Sequence, residues 1–506
     1  MNRKESRSWL IWCIWVLVAG VAACGSDDNN GSDNDSNDNE KPVVIEEVTD
    51  PPEEQIEYDG LGGVAKNPIV SHIFTADPSA KVFNGRIYIY ASHDLDDQDD
   101  YDMTDYHVFS SNDLVNWQDH GVALDAKDMK WVKTLYAPDA CYSEKTGKYY
   151  LYFPNGGSSI GVAVSDDPGG PFEDALGKSL VSKQIKGVSD VNWVFDPGCF
   201  VDDDGQAYLY FGGGMPDTGE NARVVRLGED MISVADEEAT TIVAPDFFEA
   251  SFMNKRDGKY YFSYSTHFEG RSITIDYMIS DDPMTGFEYA GTVLPNPLKN
   301  NENNNHHSIV EYEGKWYIFY HNRVLASREK LSDYQRSITV DYLTFDDDGN
   351  MEKVKPTMGE VKQLRNLDAF SRMEAETLAD QRGIEVDFVT EDEERAGVMV
   401  TDLHDDDWIG YSQVDFEDGA AKLALRVASD AAEAGMIYVF IDGSDSFSDL
   451  EGEHIGSCKV EPTGGWQKWK DIECDIRKTK GVHDLYLRFS GEEDEPLFNL
   501  DYFQFK

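Results

Sequence analysis

The sequence repeats one short phrase five times: NGRIYIYAS (84–92), TGKYYLYFP (146–154), DGQAYLYFG (204–212), DGKYYFSYS (257–265) and EGKWYIFYH (313–321). Each copy has a turn that ends in glycine and then a tyrosine-rich run, which predicts a tight hairpin turn followed by a strand. The repeated glycines are 62, 58, 53 and 56 residues apart, at Gly85, Gly147, Gly205, Gly258 and Gly314. Units of this length suit four short strands with long connections, so the repeat predicts an all-β fold with a five-bladed β-propeller.

The repeat also aligns five ionisable residues. Eight or nine positions before the glycines stand Asp77, Asp139, Asp196, Glu249 and His306. Equivalent positions on propeller blades surround the axis, so we expect these side chains to converge at one mouth of the channel. Packing carboxylates together is costly. The cluster therefore indicates hydrolysis of a glycosidic bond or metal binding, and the alternative is a polar channel around water or a structural ion.

Composition narrows the range of partners. The chain has 506 residues, a length that predicts two or three domains. Asp and Glu total 97 against 44 Lys and Arg, which makes the formal net charge −53. A field of this sign repels polyanions, and this excludes nucleic acid or an anionic membrane surface as the partner.

The N-terminus has the features of an export signal. Three basic residues precede the apolar run 9–23, which is shorter than a membrane-spanning helix needs. The run ends VAAC, which resembles a bacterial lipobox, so residues 1–24 are interpreted as a lipoprotein signal peptide with Cys24 as the lipidated residue. A plain signal peptide is the alternative. Residues 25–62 are acidic and of low complexity, and they are predicted to be a disordered tether. The tether resembles that of Bacteroidetes surface lipoproteins, which implies an exported outer-membrane lipoprotein facing the cell surface, or else the periplasm.

Several segments, in order, resemble the family 43 glycoside hydrolases, which are five-bladed β-propellers. They are TADPSA (75–80), SSNDLVNWQDHG (110–121), YAPD (136–139), FDPG (195–198), EASFMNKRDGKYYFSYS (249–265) and HHSIVEYEGKWYIFYHNR (306–323). The likeness covers a propeller domain at 63–368. It implies an inverting mechanism, with Asp77 as general base, Glu249 as general acid and Asp196 as the residue that orients Glu249 and raises its pKa. Asp139 receives no catalytic role and is interpreted as structural or pocket-lining.

The resemblance also implies residues around the substrate. His306 corresponds to the family's channel histidine, which contacts a calcium ion or a water cluster, and His307 is the alternative. Trp193 and Phe248 flank the acids and are candidates for sugar-facing walls, with core packing as the favoured interpretation of Phe248. Arg323 is predicted to reach the substrate.

Residues 369–506 show a different pattern, with alternating segments that predict a β-sandwich of the jelly-roll type. EAE (374–376), DWIGY (407–411), TGGWQKW (463–469) and FNLDYFQF (498–505) together resemble family 6 carbohydrate-binding modules. The resemblance implies a structural calcium ion held by Glu374, Glu376 and Asp501. It also implies a sugar gripped by Tyr411, Trp466 and Asn499, unless those aromatic residues belong to the core, for which Trp469 is the better candidate.

The cysteines leave their state open. Cys458 and Cys474 are interpreted either as a disulfide between two strands or as buried thiols, and a bridge between Cys141 and Cys199 is less favoured.

These features together predict an exo-acting glycoside hydrolase on arabinoxylan-like plant polysaccharides or oligosaccharides, with calcium as a cofactor. Release of α-L-arabinofuranosyl units is favoured over release of β-D-xylosyl units. The alternative is a surface glycan-binding protein that has lost catalysis.

Overall fold

Five antiparallel sheets follow one another along the described part of the computed structural model, one for each copy of the repeated phrase. The structure describes residues 61–96, 98–215, 220–266, 273–391, 394–446, 449–493 and 495–506. The five-bladed propeller predicted from the repeat is therefore confirmed. Among the described residues, no helix has both the length and the apolar character that a membrane crossing requires.

The blades have the following strands. Blade 1 contains β1 (Thr75–Phe83), β2 (Arg86–His93), β3 (Asp105–Ser111) and β4 (Trp117–Asp125), and a 3₁₀ turn, Ala126–Asp128, follows it. Blade 2 contains β5 (Asp139–Ser143), β6 (Lys148–Pro154), β7 (Ser159–Ser165), β8 (Glu173–Asp174) and β9 (Val181–Ser182). Blade 3 contains β10 (Gly198–Val201), β11 (Ala207–Phe211), β12 (Ala222–Arg226) and β13 (Thr240–Ile242). Blade 4 contains β14 (Phe247–Arg256), β15 (Lys259–Thr266), β16 (Ile275–Ser280) and β17 (Glu288–Leu294). Blade 5 contains β18 (His307–Tyr312), β19 (Lys315–Asn322) and β20 (Ser337–Leu343), with helix α1 (Val324–Glu329) before β20.

The repeated glycines lie in the hairpins that join the first two strands of each blade. All five have positive φ values, between 69° and 83°. In blades 1, 4 and 5 the preceding residue, Asn84, Asp257 or Glu313, also has a positive φ, near 50°. Two consecutive residues in this region form the type I′ turn that matches the twist of a two-residue hairpin. The tyrosine-rich run is then the second strand of each blade.

The first strands of the blades form the inner ring of the propeller. Strand β1 contacts β5 and β18, β10 contacts β5 and β14, and β14 contacts β18. Between blades the sheets pack through apolar side chains, as where Tyr152 and Val162 of blade 2 meet Leu209 of blade 3. The ring brings the beginnings of all five first strands to one end of the channel.

The C-terminal strands form a two-sheet sandwich. They are β21 (Leu367–Asp368), β22 (Met373–Glu374), β23 (Thr377–Leu378), β24 (Asp380–Arg382), β25 (Glu385–Glu391), β26 (Glu394–Thr401), β27 (Trp408–Asp415), β28 (Ala420–Ser429), β29 (Gly435–Ser446), β30 (Asp449–Val460), β31 (Gly465–Thr479), β32 (Val482–Ser490) and β33 (Asn499–Phe505). Apart from β23, which belongs to the sheet of blade 1, these strands follow one hydrogen-bonded order, β21-β27-β32-β29-β30-β31-β28-β33-β26-β25, with β22 beside β33 and β24 beside β27. The long strand β31 pairs with β30 at one point and with β28 along most of its length, so it connects the sheet from β21 to β30 with the sheet from β28 to β25. Buried residues of both sheets, such as Leu487 and Phe503, share one core.

Cysteine states differ between the two parts of the chain. Cys458 of β30 and Cys474 of β31 form a disulfide, so the first of the two interpretations holds. Cys141 and Cys199, on blades 2 and 3, are free and buried, with their sulfur atoms 2.7 Å apart.

The sandwich and the propeller share hydrogen bonds. Strand β23 joins the outer edge of blade 1, where Leu378 pairs with Trp117 of β4. The backbone N–H of Ser412 also donates to Oδ1 of Asn116 across 2.8 Å. At the end of the predicted tether, Leu61 is buried against Trp408, and Gly62 donates to Asp484. Residues 1–60, which include the predicted signal peptide and Cys24, lie outside the described part of the chain.

Candidate active site

A cavity of about 540 Å³ opens at the end of the channel where the first strands begin. Four of the five repeated ionisable residues line it, namely Asp77, Asp196, Glu249 and His306. They come from blades 1, 3, 4 and 5 respectively. The prediction that these four converge is therefore confirmed by the structure.

Asp139 of blade 2 departs from the predicted pattern. Its carboxylate lies between blades, where it accepts hydrogen bonds from Ser79, from the backbone N–H of Cys199 and, at 3.0 Å, from Lys81. Asp139 is not among the residues that line the cavity. Of the two interpretations, the structural one is correct, because the hydrogen bonds of this side chain link blades 1, 2 and 3.

Unusual backbone conformations aim the acids into the cavity. Asp77 and Asp196 have φ values of 52° and 46°, and Ala250, which follows Glu249, has a φ of 59°. Pairing of β1 with β2 is interrupted at Asp77, and pairing of β14 with β15 shifts on both sides of Glu249. Left-handed non-glycine residues and bulges are costly, and they cluster where a side chain must be redirected.

The carboxylate of Asp77 is held by a buried arginine that the sequence analysis did not single out. Arg336 Nη1 donates to Asp77 Oδ1 across 2.8 Å, and Ser92 donates to the other oxygen across 2.9 Å. Asp94 fixes the arginine, because its Oδ1 and Oδ2 accept from Arg336 Nη2 at 2.7 Å and Nε at 2.9 Å. Asp94 is the second residue after the first repeated phrase, but nothing in the local sequence connects it with Arg336.

The surroundings of Glu249 and Asp196 favour the protonated form of each carboxyl group. Burial raises the pKa of Glu249 well above its ordinary value, and the charges of Asp196 and Asp77 raise it further. Burial and Asp77 likewise raise the pKa of Asp196. The predicted influence of Asp196 on Glu249 is thus present, but burial is the larger cause. Asp196 also accepts from the backbone N–H of Ala250 across 3.0 Å, which ties it to the segment that carries Glu249.

His306 lies between two of the acids. Its Nδ1 is 3.7 Å from Asp77 Oδ1 and 3.9 Å from Asp196 Oδ2. Burial, together with the charge of Arg336, lowers the pKa of His306 to about 3, so the imidazole is neutral at physiological pH. His307 points elsewhere, with Nε2 at 2.6 Å from Ser263 Oγ. The choice of His306 as the channel histidine agrees with this geometry.

Aromatic side chains form part of the cavity wall. Trp193 and Phe248 both line it, with ring centroids 5.9 Å apart. Phe248 is only partly buried, so the core interpretation of this residue is wrong. Tyr101 and Met103 line the cavity as well, from the loop between β2 and β3.

Arg323 does not reach the cavity, which corrects the prediction that it contacts substrate. It is almost fully buried, and it donates to the backbone oxygen of Asp333 at 2.5 Å and to Asn304 Oδ1 at 2.8 Å. It also bonds to Asn300. Arg323 therefore supports loop 296–305, and that loop supplies Glu302, Asn303 and Asn304 to the cavity.

Two predicted sugar-binding residues of the sandwich are also corrected. Tyr411 is fully buried, its hydroxyl donates to the backbone oxygen of Ala375 across 2.7 Å, and its ring packs on Phe503. Asn499 is buried too, and its amide donates to the backbone oxygen of Trp466 across 2.8 Å. Inward-facing positions on β27 and β33 thus place both side chains away from solvent.

The two tryptophans of β31 are both half-buried. The ring of Trp466 is partly exposed, and its role in gripping a sugar stays a prediction. Trp469 was the better candidate for the core, but it lies outside the core cluster, with Arg426 5.4 Å from its ring centroid.

The three carboxylates predicted to bind calcium differ in how well they suit a cation. Glu376 is buried, and its Oε2 has no hydrogen-bond partner. Burial, with a contribution from Glu374, raises the pKa of Glu376 well above its ordinary value. Asp501 is already compensated by Arg426 at 3.0 Å. Glu374 is likewise paired with an arginine, since Arg372 Nε lies 2.7 Å from its Oε1 and Arg372 Nη2 donates to its Oε2 across 2.8 Å. Oxygen ligands suit calcium, so Glu376 fits the ion, whereas Glu374 and Asp501 would each share it with an arginine.

Hydrolysis of a glycosidic bond uses a pair of carboxylates, and the cavity presents buried carboxylates beside aromatic walls, so the site is of the glycoside hydrolase type. Residues 65–351 match glycosyl hydrolases family 43, and residues 374–506 match the carbohydrate binding module of family 6. The chain belongs to glycosyl hydrolase family 43.

Relatives named as arabinoxylan arabinofuranohydrolases are similar to this chain over most of its length. An arabinoxylan arabinofuranohydrolase of Paenibacillus polymyxa is 37% identical over 87% of this chain and 74% of its own length. One of Bacillus subtilis is 36% identical over 87% of this chain and 92% of its own length. The crystal structure of a family 43 arabinoxylan arabinofuranohydrolase from Bacillus subtilis, in complex with cellotetraose, superposes with a TM-score of 0.79. It is 35% identical over 87% of this chain and 98% of its own.

Proposed function

We propose that this protein is an inverting, exo-acting glycoside hydrolase that removes α-L-arabinofuranosyl units from arabinoxylan-like polysaccharides or oligosaccharides. The observation that carries the proposal is the pairing within one cavity of a buried, protonation-favouring Glu249 with an Asp77 carboxylate held by Arg336. Support for the sugar comes from the names of the two relatives that match most of the chain. Relatives named xylosidase/arabinosidase also match the propeller, so release of β-D-xylosyl units is the second candidate.

Glu249 is suited to be the general acid. Burial and two neighbouring acids favour its protonated form, so it can hold a proton at a pH where an exposed glutamic acid has lost it. In the proposed reaction this proton moves to the glycosidic oxygen as the bond to the anomeric carbon breaks. Asp196 keeps the segment of Glu249 in place through Ala250.

Asp77 is suited to be the general base. Arg336 and Ser92 donate to its two oxygens, which fixes the orientation of the carboxylate. In the proposed reaction Asp77 takes a proton from a water that attacks the anomeric carbon from the face opposite the leaving group, and the configuration is thereby inverted. The neutral imidazole of His306 beside Asp77 and Asp196 adds no charge to the site.

Calcium and the lipid anchor belong to the same proposal. The unpaired, buried oxygen of Glu376 supports a structural calcium ion at the start of the sandwich. A channel calcium at His306 and lipidation of Cys24 rest on the family resemblance and the VAAC motif. Incorporation of labelled palmitate into wild-type protein, and its loss in Cys24→Ser, would test the anchor.

The function is tested with paired aryl α-L-arabinofuranoside and aryl β-D-xyloside substrates. We expect release from the arabinofuranoside, and a loss of kcat of about 10²–10⁴-fold in Glu249→Gln and in Asp77→Asn. NMR of the first product from arabinoxylan would show the inverted anomer. Glu288→Gln, which changes an exposed glutamate of blade 4, should retain full activity.

Three outcomes would contradict the proposal. Release from the xyloside alone would show that the enzyme removes β-D-xylosyl units and not α-L-arabinofuranosyl units. A product that retains the anomeric configuration would show that the mechanism is not inverting. Binding of arabinoxylan without release of any sugar would favour a surface glycan-binding protein.

A further inference from the structure

Three potential metal ligands meet at the stem of the loop that joins β2 to β3. His93 is the last residue of β2, Asp105 is the first of β3, and His107 lies two residues further along β3. Asp105 Oδ1 is 2.9 Å from His93 Nδ1 and 3.9 Å from His107 Nε2. One ligand atom from each residue lies within 4.8 Å of both others. None of the three lines the catalytic cavity.

A fourth residue orients this cluster from behind. Asp119 Oδ1 lies 3.1 Å from His107 Nδ1, and Oδ2 lies 2.8 Å from His72 Nε2. An ionised carboxylate only accepts hydrogen bonds, so the proton of His107 is on Nδ1 and the lone pair of Nε2 faces Asp105. A histidine held in this way by a carboxylate is the usual arrangement of a metal-binding histidine.

The dimensions and surroundings suit a divalent ion. Bonds of about 2.0–2.2 Å to nitrogen and oxygen place tetrahedral zinc ligands about 3.3 Å apart. The observed separations bracket this value, so small side-chain rotations would complete the site. His107 and Asp105 are buried, whereas the side chain of His93 is 19% exposed and leaves an approach from solvent. The carboxylates of Asp105 and Asp119 supply negative charge.

We propose that His93, Asp105 and His107 bind a divalent transition-metal ion of the zinc type, and that this ion ties together the two ends of loop 94–104. Two imidazoles and one carboxylate favour zinc or cobalt over calcium, which takes oxygen ligands. The site is separate from the predicted calcium sites, because it shares no residue with them.

Loop 94–104 connects the proposed metal site with the cavity. Asp94, next to His93, holds Arg336, and Tyr101 and Met103 belong to the cavity wall. An ion between His93 and Asp105 would fix both ends of the segment that carries these three residues. It would act on substrate binding through the loop, without contacting substrate.

Binding is tested on the full chain after chelator treatment, with Zn²⁺ followed by calorimetry and Co²⁺ followed by its visible absorption. We expect one tight site that excess Ca²⁺ does not displace. His93→Gln and Asp105→Asn should each weaken it by about 100-fold or more. His120→Gln removes an imidazole from the same blade, where it contacts Ser110, and should bind like the wild type. Circular dichroism verifies that each variant is folded.

Hydrogen exchange tests the effect on the loop. Peptides that span residues 94–104 should exchange more slowly with Zn²⁺ in the wild type and in His120→Gln, but not in His93→Gln. Absence of a tight site in the wild type, or unchanged affinity in both ligand variants, would overturn the metal site. Unchanged exchange in the zinc-bound wild type would overturn the role of the ion in tying the loop.

Discussion

Arg336 Nη1 and Asp77 Oδ1 lie 2.8 Å apart, although 259 residues separate them in the chain. The arginine begins the last strand region of blade 5 and the aspartate lies in the first strand of blade 1, so the pair forms where the ring closes. Both side chains are buried. Arg336 is also the cation that offsets the raised pKa of Glu249. One arginine thus acts on both proposed catalytic carboxylates.

Replacing this arginine should change the pH profile as well as the rate. In Arg336→Met, Glu249 loses the cation that offsets part of its raised pKa, so the pKa of Glu249 should rise further. Because activity requires protonated Glu249, we expect the basic limb of kcat/KM to move to higher pH, and kcat should fall because Asp77 loses the hydrogen bond that orients it. Loss of one partner of a buried ion pair should also lower the free energy of unfolding by about 3–5 kcal/mol.

The control is Arg365→Met, because Arg365 forms an exposed pair with Glu313 of the blade 5 hairpin, away from the cavity. It should leave the profile in place. Arg336→Lys keeps the charge, so its basic limb should stay close to that of the wild type, and it provides a second comparison if Arg336→Met folds poorly. A basic limb that does not move in Arg336→Met, or that moves as far in Arg336→Lys, would contradict the role given to the arginine.

Asp196→Asn should move the basic limb of kcat/KM to lower pH. Activity requires protonated Glu249, so it is lost as pH rises through the pKa of that group. Burial raises this pKa most, and the charge of Asp196 raises it further, so removal of the charge lowers the pKa. Asp166→Asn, which removes an exposed carboxylate from blade 2, should leave the limb unmoved. A basic limb that stays in place in Asp196→Asn would contradict the influence given to Asp196 and leave burial and Asp77 as the causes of the raised pKa.

The effect of Glu376→Gln on the melting temperature should have opposite signs with and without calcium. Burial raises the pKa of this carboxyl, so the folded state binds its proton more tightly than the unfolded state, and stability falls as pH rises above the ordinary glutamate range. At neutral pH in chelator, Glu376→Gln should therefore melt at a higher temperature than the wild type. With calcium, the wild type should be the more stable protein.

Glu461→Gln serves as the comparison, because Glu461 forms an exposed pair with Lys459 in the same sandwich. Its melting temperature should follow that of the wild type with and without calcium. If calcium left the wild type unchanged, the proposed site at Glu376 would be refuted.

Polysaccharide binding by the sandwich should depend on Trp466 and not on Tyr411. Trp466→Ala removes the accessible ring and should weaken binding to arabinoxylan by about tenfold in affinity electrophoresis. Tyr411→Phe should bind normally, but the lost hydrogen bond to Ala375 should cost about 0.5–1.5 kcal/mol of stability. Weaker binding in Tyr411→Phe with an unchanged melting temperature would contradict the buried position of Tyr411.

Four of the five residues chosen by their position in the repeat lie where the sequence predicts, and Asp139 is the exception. Residues of the sandwich chosen by resemblance alone were predicted less well. Asp77, Asp196, Glu249 and His306 share one position in the repeat, and the ring brings them to one cavity. Tyr411 and Asn499 match the motif of a binding module, yet both point into the protein. A motif identifies a residue type at a position, whereas the face of the strand on which that residue lies depends on bulges and local register, as between Tyr411 and Val414.

The sequence by itself determined the five blades, the two-part architecture and four of the residues that line the cavity. Hairpin turns and alternating strands depend on residues within a few positions of one another, so a phrase of nine residues contains their signal. Only the tertiary structure decided that Arg336 and Asp94 hold Asp77, that Asp139 joins three blades, and that His93 and His107 meet at Asp105. Ring closure and hairpin register determine these contacts, because they bring together side chains whose separation in the chain has no period that a sequence pattern could reveal.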